Sequence, residues 1–184
     1  MSAVSDDDLQ KKENETIERA ELLYEYQCSQ FELSLASIRR LEDKASKMMG
    51  FLTVIITTSL LIVRYWWGDI FTGGYTPIRA LCWGSLALFL LFSAIAWGFS
   101  LSAMQVAEFE RPSSSLQLTD FFIKNKRYQS LVEAANCYSG VTSKTDEAHN
   151  IKVDLIGKSF ESIVLGAWSF IAFILFFLTL KLTI

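Results

Sequence analysis

Few side chains in this sequence could do chemistry, and the densest group lies around position 125. Lys124, Lys126 and Arg127 stand beside Phe121, Phe122 and Tyr128. Cations that neutralise phosphate, next to rings that stack, suit a phosphate-bearing ligand; Lys124, Lys126, Arg127 and Tyr128 are the ligand-binding candidates. The same cluster also serves retention on the cytoplasmic side and attraction to anionic lipid. Thr53 and Thr57 share a helix face. Hydroxyls at that spacing line a narrow wet path when several copies form a ring, or else bond back to their own helix carbonyls. His149 is the only histidine, and Cys28, Cys82 and Cys137 lie far apart. A zinc site needs clustered ligands and a cysteine nucleophile needs a base. No catalytic residue, metal or cofactor is therefore assigned, the chain reads as a non-enzyme, and the cysteines read as reduced packing residues.

The elements that carry these residues are set by apolar content. A chain of 184 residues that is 51% hydrophobic and 14% aromatic is too apolar for an ordinary soluble domain of its size. The excess sits in three blocks, residues 50–67, 80–103 and 162–180, each of the length that spans a hydrocarbon core of about 30 Å. Only Arg64 falls inside them. The polar stretch before the first block is too long for a secretory signal. Ion-coupled transport needs ionisable groups at depth, and three spans give no inverted repeat. Gly68 to Pro77 is short and rich in turn formers, so the first two spans form a hairpin, bracketed by Tyr65, Trp66, Trp67, Tyr75 and Trp83 at headgroup level.

Lys and Arg gather on the cytoplasmic side of a membrane. Arg39, Arg40, Lys44 and Lys47 precede the first span, and Arg111, Lys124, Lys126, Arg127, Lys144, Lys152 and Lys158 lie in the long connection. The expected layout has a cytoplasmic helical rod (1–49), a transmembrane hairpin (50–103), a cytoplasmic helical segment (104–160) and a third transmembrane helix (161–184). The N-terminus is cytoplasmic and the C-terminus outside.

Within the rod, Ile17, Tyr24, Phe31, Ile38, Ala45 and Leu52 recur at sevens, followed three residues later by Ala20, Gln27, Ser34, Leu41 and Met48. This coiled-coil-like seam packs either against its own chain or between subunits. The helix is expected to start near Ser5 and to reach Trp67, on the order of 90 Å at 1.5 Å per residue. The second span is expected to continue to Glu110 and to break at Arg111–Ser115, where Pro112 and serines follow. A helix fits 119–139, ending before Gly140; residues 142–150 are either a loop or a helix running into the third span. The first 49 residues hold seven basic and eleven acidic side chains, the rest ten and nine, which suits contact between the acidic rod and the more basic second half. Ala94, Gly98 and Ser102 in the second span, and Ser162 and Gly166 in the third, are small residues at intervals of four that let helices approach closely, within one subunit or between subunits.

The run RRLEDKASKMMGFLTVIITTSLLIV resembles the membrane-proximal part of small bacterial antiphage effectors of the Pycsar membrane type. The run from Tyr128 through Asn150, Lys152 and Leu155 is similar to the closing part of that family and, more loosely, of SLATT-type effectors. The resemblance implies a homo-oligomer that stays silent until a cytosolic nucleotide or oligonucleotide signal, or a partner protein encoded in the same operon, releases it to permeabilise the membrane. No cyclic-nucleotide domain is appended, so a signal would act on the helical layer itself. The expectation is thus an all-α integral membrane protein with three transmembrane helices and long cytoplasmic extensions, assembled as an oligomeric bundle and acting as a gated pore or ion channel in abortive infection. The alternative is a membrane-anchored adaptor or receptor whose cytoplasmic helices dock a partner protein.

Overall fold

A computed structural model describes residues 6–68, 76–105 and 116–183. Its elements are α1 (Asp6–Tyr65), α2 (Pro77–Met104), α3 (Leu116–Lys124) and α4 (Arg127–Thr183), with no strand among the described residues. α1 runs for 60 residues because nothing in it stops a helix: it has no proline, and Gly50 is its only glycine. Ser5, the expected cap, lies outside the described residues. α2 opens on Pro77 after an extended Thr76. Proline fits there because the first turn leaves its N–H groups unpaired in any case.

Two boundaries differ from the sequence reading. α2 ends at Met104, and Gln105 leaves the helix with ψ 132 while its N–H donates to Ser102 O; the expected stretch to Glu110 and the break at Arg111–Ser115 lie outside the described residues. The expected helix over 119–139 is instead divided and extended. The division falls at Asn125, whose backbone N–H and side-chain Nδ2 both donate to Phe121 O. Gln129 Oε1 then accepts the Lys126 N–H, the side-chain half of a capping box that starts α4. Gly140 does not stop the helix. Residues 142–150 are helical, and Thr142 and Thr145 satisfy their hydroxyls on the carbonyls of Tyr138 and Val141.

Contacts divide the chain into two compact units, Met1–Arg39 with Ala107–Asn150, and Arg40–Val106 with Ile151–Ile184. Each is built from separate stretches, whereas the sequence division was strictly consecutive. In the first unit the early parts of α1 and α4 pair in parallel. Tyr24 and Phe31 meet the Tyr138 ring edge-on at 5.8 and 5.7 Å, Ser34 donates to Asp146 at 2.5 Å, and Ser37 bonds His149 at 2.9 Å. The acidic rod meets the basic half through Glu13–Lys126 and Glu21–Arg127.

The second unit is a three-helix bundle in which α1 and α4 run parallel and α2 antiparallel to both. One apolar cluster joins Val63, Cys82, Leu86, Phe89, Phe173 and Phe177, and another joins Ala45, Ala103 and Ile156. Burial recurs at sevens: Ala45, Leu52 and Ser59 on α1, and Lys152, Ser159, Gly166, Phe173 and Leu180 on α4. On α2 the buried positions alternate by four and three from Cys82 through Leu86, Phe89, Ser93, Ala96 and Ser100 to Ala103, with Ser85 buried beside them. Such a period keeps one stripe of each helix turned to its neighbours. The outward faces stay apolar, with Phe51, Val54, Leu61, Leu88, Trp168 and Leu175 exposed. Three helices here are long and apolar enough to cross a membrane, and exposed side chains of this kind belong against lipid. The protein is all-helical and of membrane type.

Candidate functional site

α4 places Lys152 at one of the buried positions of its seven-residue stripe, where a hydrophobe would ordinarily pack. The side chain is 5% exposed, and its ammonium is within 2.6 Å of Glu42 Oε1 and 3.1 Å of both Ala103 O and Gln105 O. All three N–H donors of the lysine are thereby used. Two of the acceptors are carbonyls at the end of α2. The last turn of a helix leaves its carbonyls unpaired and carries partial negative charge, so a cation is favoured there. Taking an ammonium out of water costs several kcal/mol unless it is fully paired; here pairing draws on α1, α2 and α4 together. The site therefore ties the three helices of its unit at one level.

Below it the same stripe continues with small groups. Ser159 Oγ donates to Ala96 O at 2.8 Å and pairs with Ser100 Oγ at 2.8 Å. At Gly166 an added Cβ would meet Phe92 Cβ at 3.6 Å, Ser93 Oγ at 3.8 Å and Phe89 Cδ2 at 3.9 Å, so this glycine faces α2. Comparisons with known protein families, with curated proteins and with solved structures find no match. The reading of the site accordingly rests on its geometry. It holds a charge-assisted tie, and its capacity is to fix the register of the helices or to release it.

The sequence-nominated residues fall elsewhere. Ile38, Ala45 and Leu52 are buried, and Ile17, Tyr24 and Phe31 are half-buried, all on the face of α1 that packs within the chain. Thr53 and Thr57 point outward, and their hydroxyls donate to the carbonyls of Met49 and Thr53 at 2.8 Å. With Ile56, Ala94 and Trp97 they line an open groove between α1 and α2. Ala94 and Ser102 are exposed, Gly98 is half-buried, and nothing stands within 4 Å of a Cβ built on Gly98. That small-residue stripe is free on the outer surface, while Ser162 and Gly166 are buried inside. The basic cluster is turned to carboxylates: Lys124 pairs with Asp120 at 3.1 Å, Lys126 with Glu13 at 3.3 Å, and Arg127 with Glu21. Tyr128 is half-buried and its hydroxyl accepts from Gln129 Nε2 at 3.2 Å. Lys126 and Arg127 thus hold the start of α4 to α1, while Lys124 pairs within α3.

One further group stands out in the first unit. Tyr138 has its hydroxyl pushed up to about 12, first by a hydrogen bond with Cys28 and then by burial, with the charges of Cys28 and Tyr24 adding to it.

Proposed function

We propose that this chain is a bacterial inner-membrane effector that assembles with copies of itself and acts as a gated pore, its polar helical extensions and N-terminus on the cytoplasmic side. What supports this is the outer surface of the spans. Thr53 and Thr57, beside Ala94 and the open Gly98, form a small, hydroxyl-bearing strip that lipid alone does not call for. The hydroxyls donate to their own helix, so they tolerate lipid in the single chain, yet their oxygens can still accept from water in a ring of copies. The tie at Lys152 offers the element a signal would act on: loosening it frees α4 from the end of α2 without unfolding either helix. The defence role rests on the resemblance of the runs around residues 39–63 and 128–155 to antiphage effectors.

The test is conductance of the purified protein in planar bilayers and dye release from liposomes. Conduction that changes severalfold in Thr53→Val/Thr57→Val supports the pore. A bilayer that stays sealed under voltage and with cyclic nucleotides or oligonucleotides refutes it. A second reading, an anchored adaptor, is favoured by a different observation. Leu22, Tyr26 and Leu33 are 71%, 58% and 60% exposed on the first unit, on the face of α1 opposite its seam, where another protein could dock.

A further inference from the structure

At the polar end of the first span, Arg40, Lys44, Lys47 and Phe51 follow one another at intervals of four, three and four. That spacing places them in a single stripe on α1. Together with Asp43 and Met48 they line an open cleft on the second unit. Three cations face one carboxylate there. Several basic side chains elsewhere are matched: Arg19, Lys124, Lys126, Arg127, Lys152 and Lys158 each pair with an acid. Arg40, Lys44 and Lys47 join no ion pair among the described residues, and even Asp43, four residues before Lys47, is not drawn into one.

Depth identifies the ligand. The apolar run begins at Gly50, so at 1.5 Å per residue Lys47 and Lys44 sit about 5 and 9 Å along the axis from it. The headgroup layer on each side of a bilayer is roughly 5–8 Å thick, which puts Lys47 within it and Lys44 at its outer edge, within reach of a flexible four-carbon stem. Arg40 stands one turn further out and can meet a second charge on the headgroup. Met48 and Phe51, on the same cleft, supply the apolar surface that an acyl chain would follow.

We propose that this cleft is a binding site for the headgroup of an anionic phospholipid, with the phosphate held by Lys44 and Lys47, Arg40 outside it, and an acyl chain against Phe51. The site requires that the protein lie in a membrane; it does not require that the protein conduct, so its failure and that of the pore are separable. A soluble phosphate shares the headgroup's chemistry but has nothing to place on Met48 and Phe51.

Native mass spectrometry of the full-length protein in detergent, titrated with phosphatidylglycerol or phosphatidylcholine, tests the assignment. The wild type should retain phosphatidylglycerol over phosphatidylcholine by at least about fivefold, the effect of roughly one basic side chain at a membrane surface. R40Q/K44Q/K47Q should abolish that preference with helicity unchanged by circular dichroism, and K44R/K47R should keep it. K11Q/K12Q, which removes two exposed charges elsewhere on α1, should leave it intact. Equal retention of the two lipids by the wild type, or an undiminished preference in the triple glutamine variant, would overturn the site. Displacement of bound lipid by millimolar inorganic phosphate would also overturn it, showing a soluble-anion site instead.

Discussion

Lys152 is tolerable in its place because every proton on its ammonium has an acceptor, and those acceptors come from three helices. Lys152→Met fills the space but leaves two carbonyls and a carboxylate without a donor. Glu42 is a third exposed and can recover water, so the loss should be smaller than for a fully buried pair. We expect a destabilisation of about 2 kcal/mol, the scale of hydrogen bonds to a charged group, read from reversible unfolding in mixed micelles. Tyr138 makes a prediction of the opposite kind, visible only in alkali. Its folded value, about 12, lies above the ordinary 10.0, so the folded state holds the proton more tightly. Its contribution is complete below pH 10 and is lost as pH rises toward 12. Tyr138→Phe should remove that part of the alkaline loss of helicity, together with one late phenolate transition in the ultraviolet spectrum.

At the scale of the element, the long helices have weak points that are exposed. Gly140 lies within α4, exposed, with nothing within 4 Å of a Cβ built on it. Glycine in a helix costs roughly 0.5–1 kcal/mol relative to alanine, because the unfolded chain gives up more freedom. Gly140→Ala should therefore stabilise the first unit by about that amount in the same unfolding measurement; a loss of stability would mean that α4 is not continuous there. The three spans were legible because an apolar run of about twenty residues needs no partner to be recognised. The break at Asn125 was not, since it depends on one asparagine and one glutamine bonding to nearby backbone, which no composition or period marks.

At the scale of the whole molecule, the question is what covers the surfaces that the chain itself leaves open. Leu22, Tyr26 and Leu33 are apolar side chains on a part of α1 rich in charge, and they share one helix face. If copies of the chain assemble there, L22Q/Y26Q/L33Q should shift the detergent-solubilised protein to smaller species in light scattering, with helicity retained. An unchanged mass would leave that face to a partner protein and favour the anchored adaptor.

Residue order by itself determined that three stretches prefer lipid, that α1 carries a seam at sevens, and that its acidic rod would find basic partners. These follow from composition and period, which a chain possesses before it folds. Only the tertiary structure decided what the seam faces. The buried stripe on α4 runs through Thr145, Lys152, Ser159 and Gly166, polar or small groups that no hydropathy pattern marks as a core. They are interior because a lysine can spend its charge on a helix end, a serine its hydroxyl on a neighbouring carbonyl, and a glycine can lie against the rings of the next helix. Each of those reasons exists only once another helix is beside it.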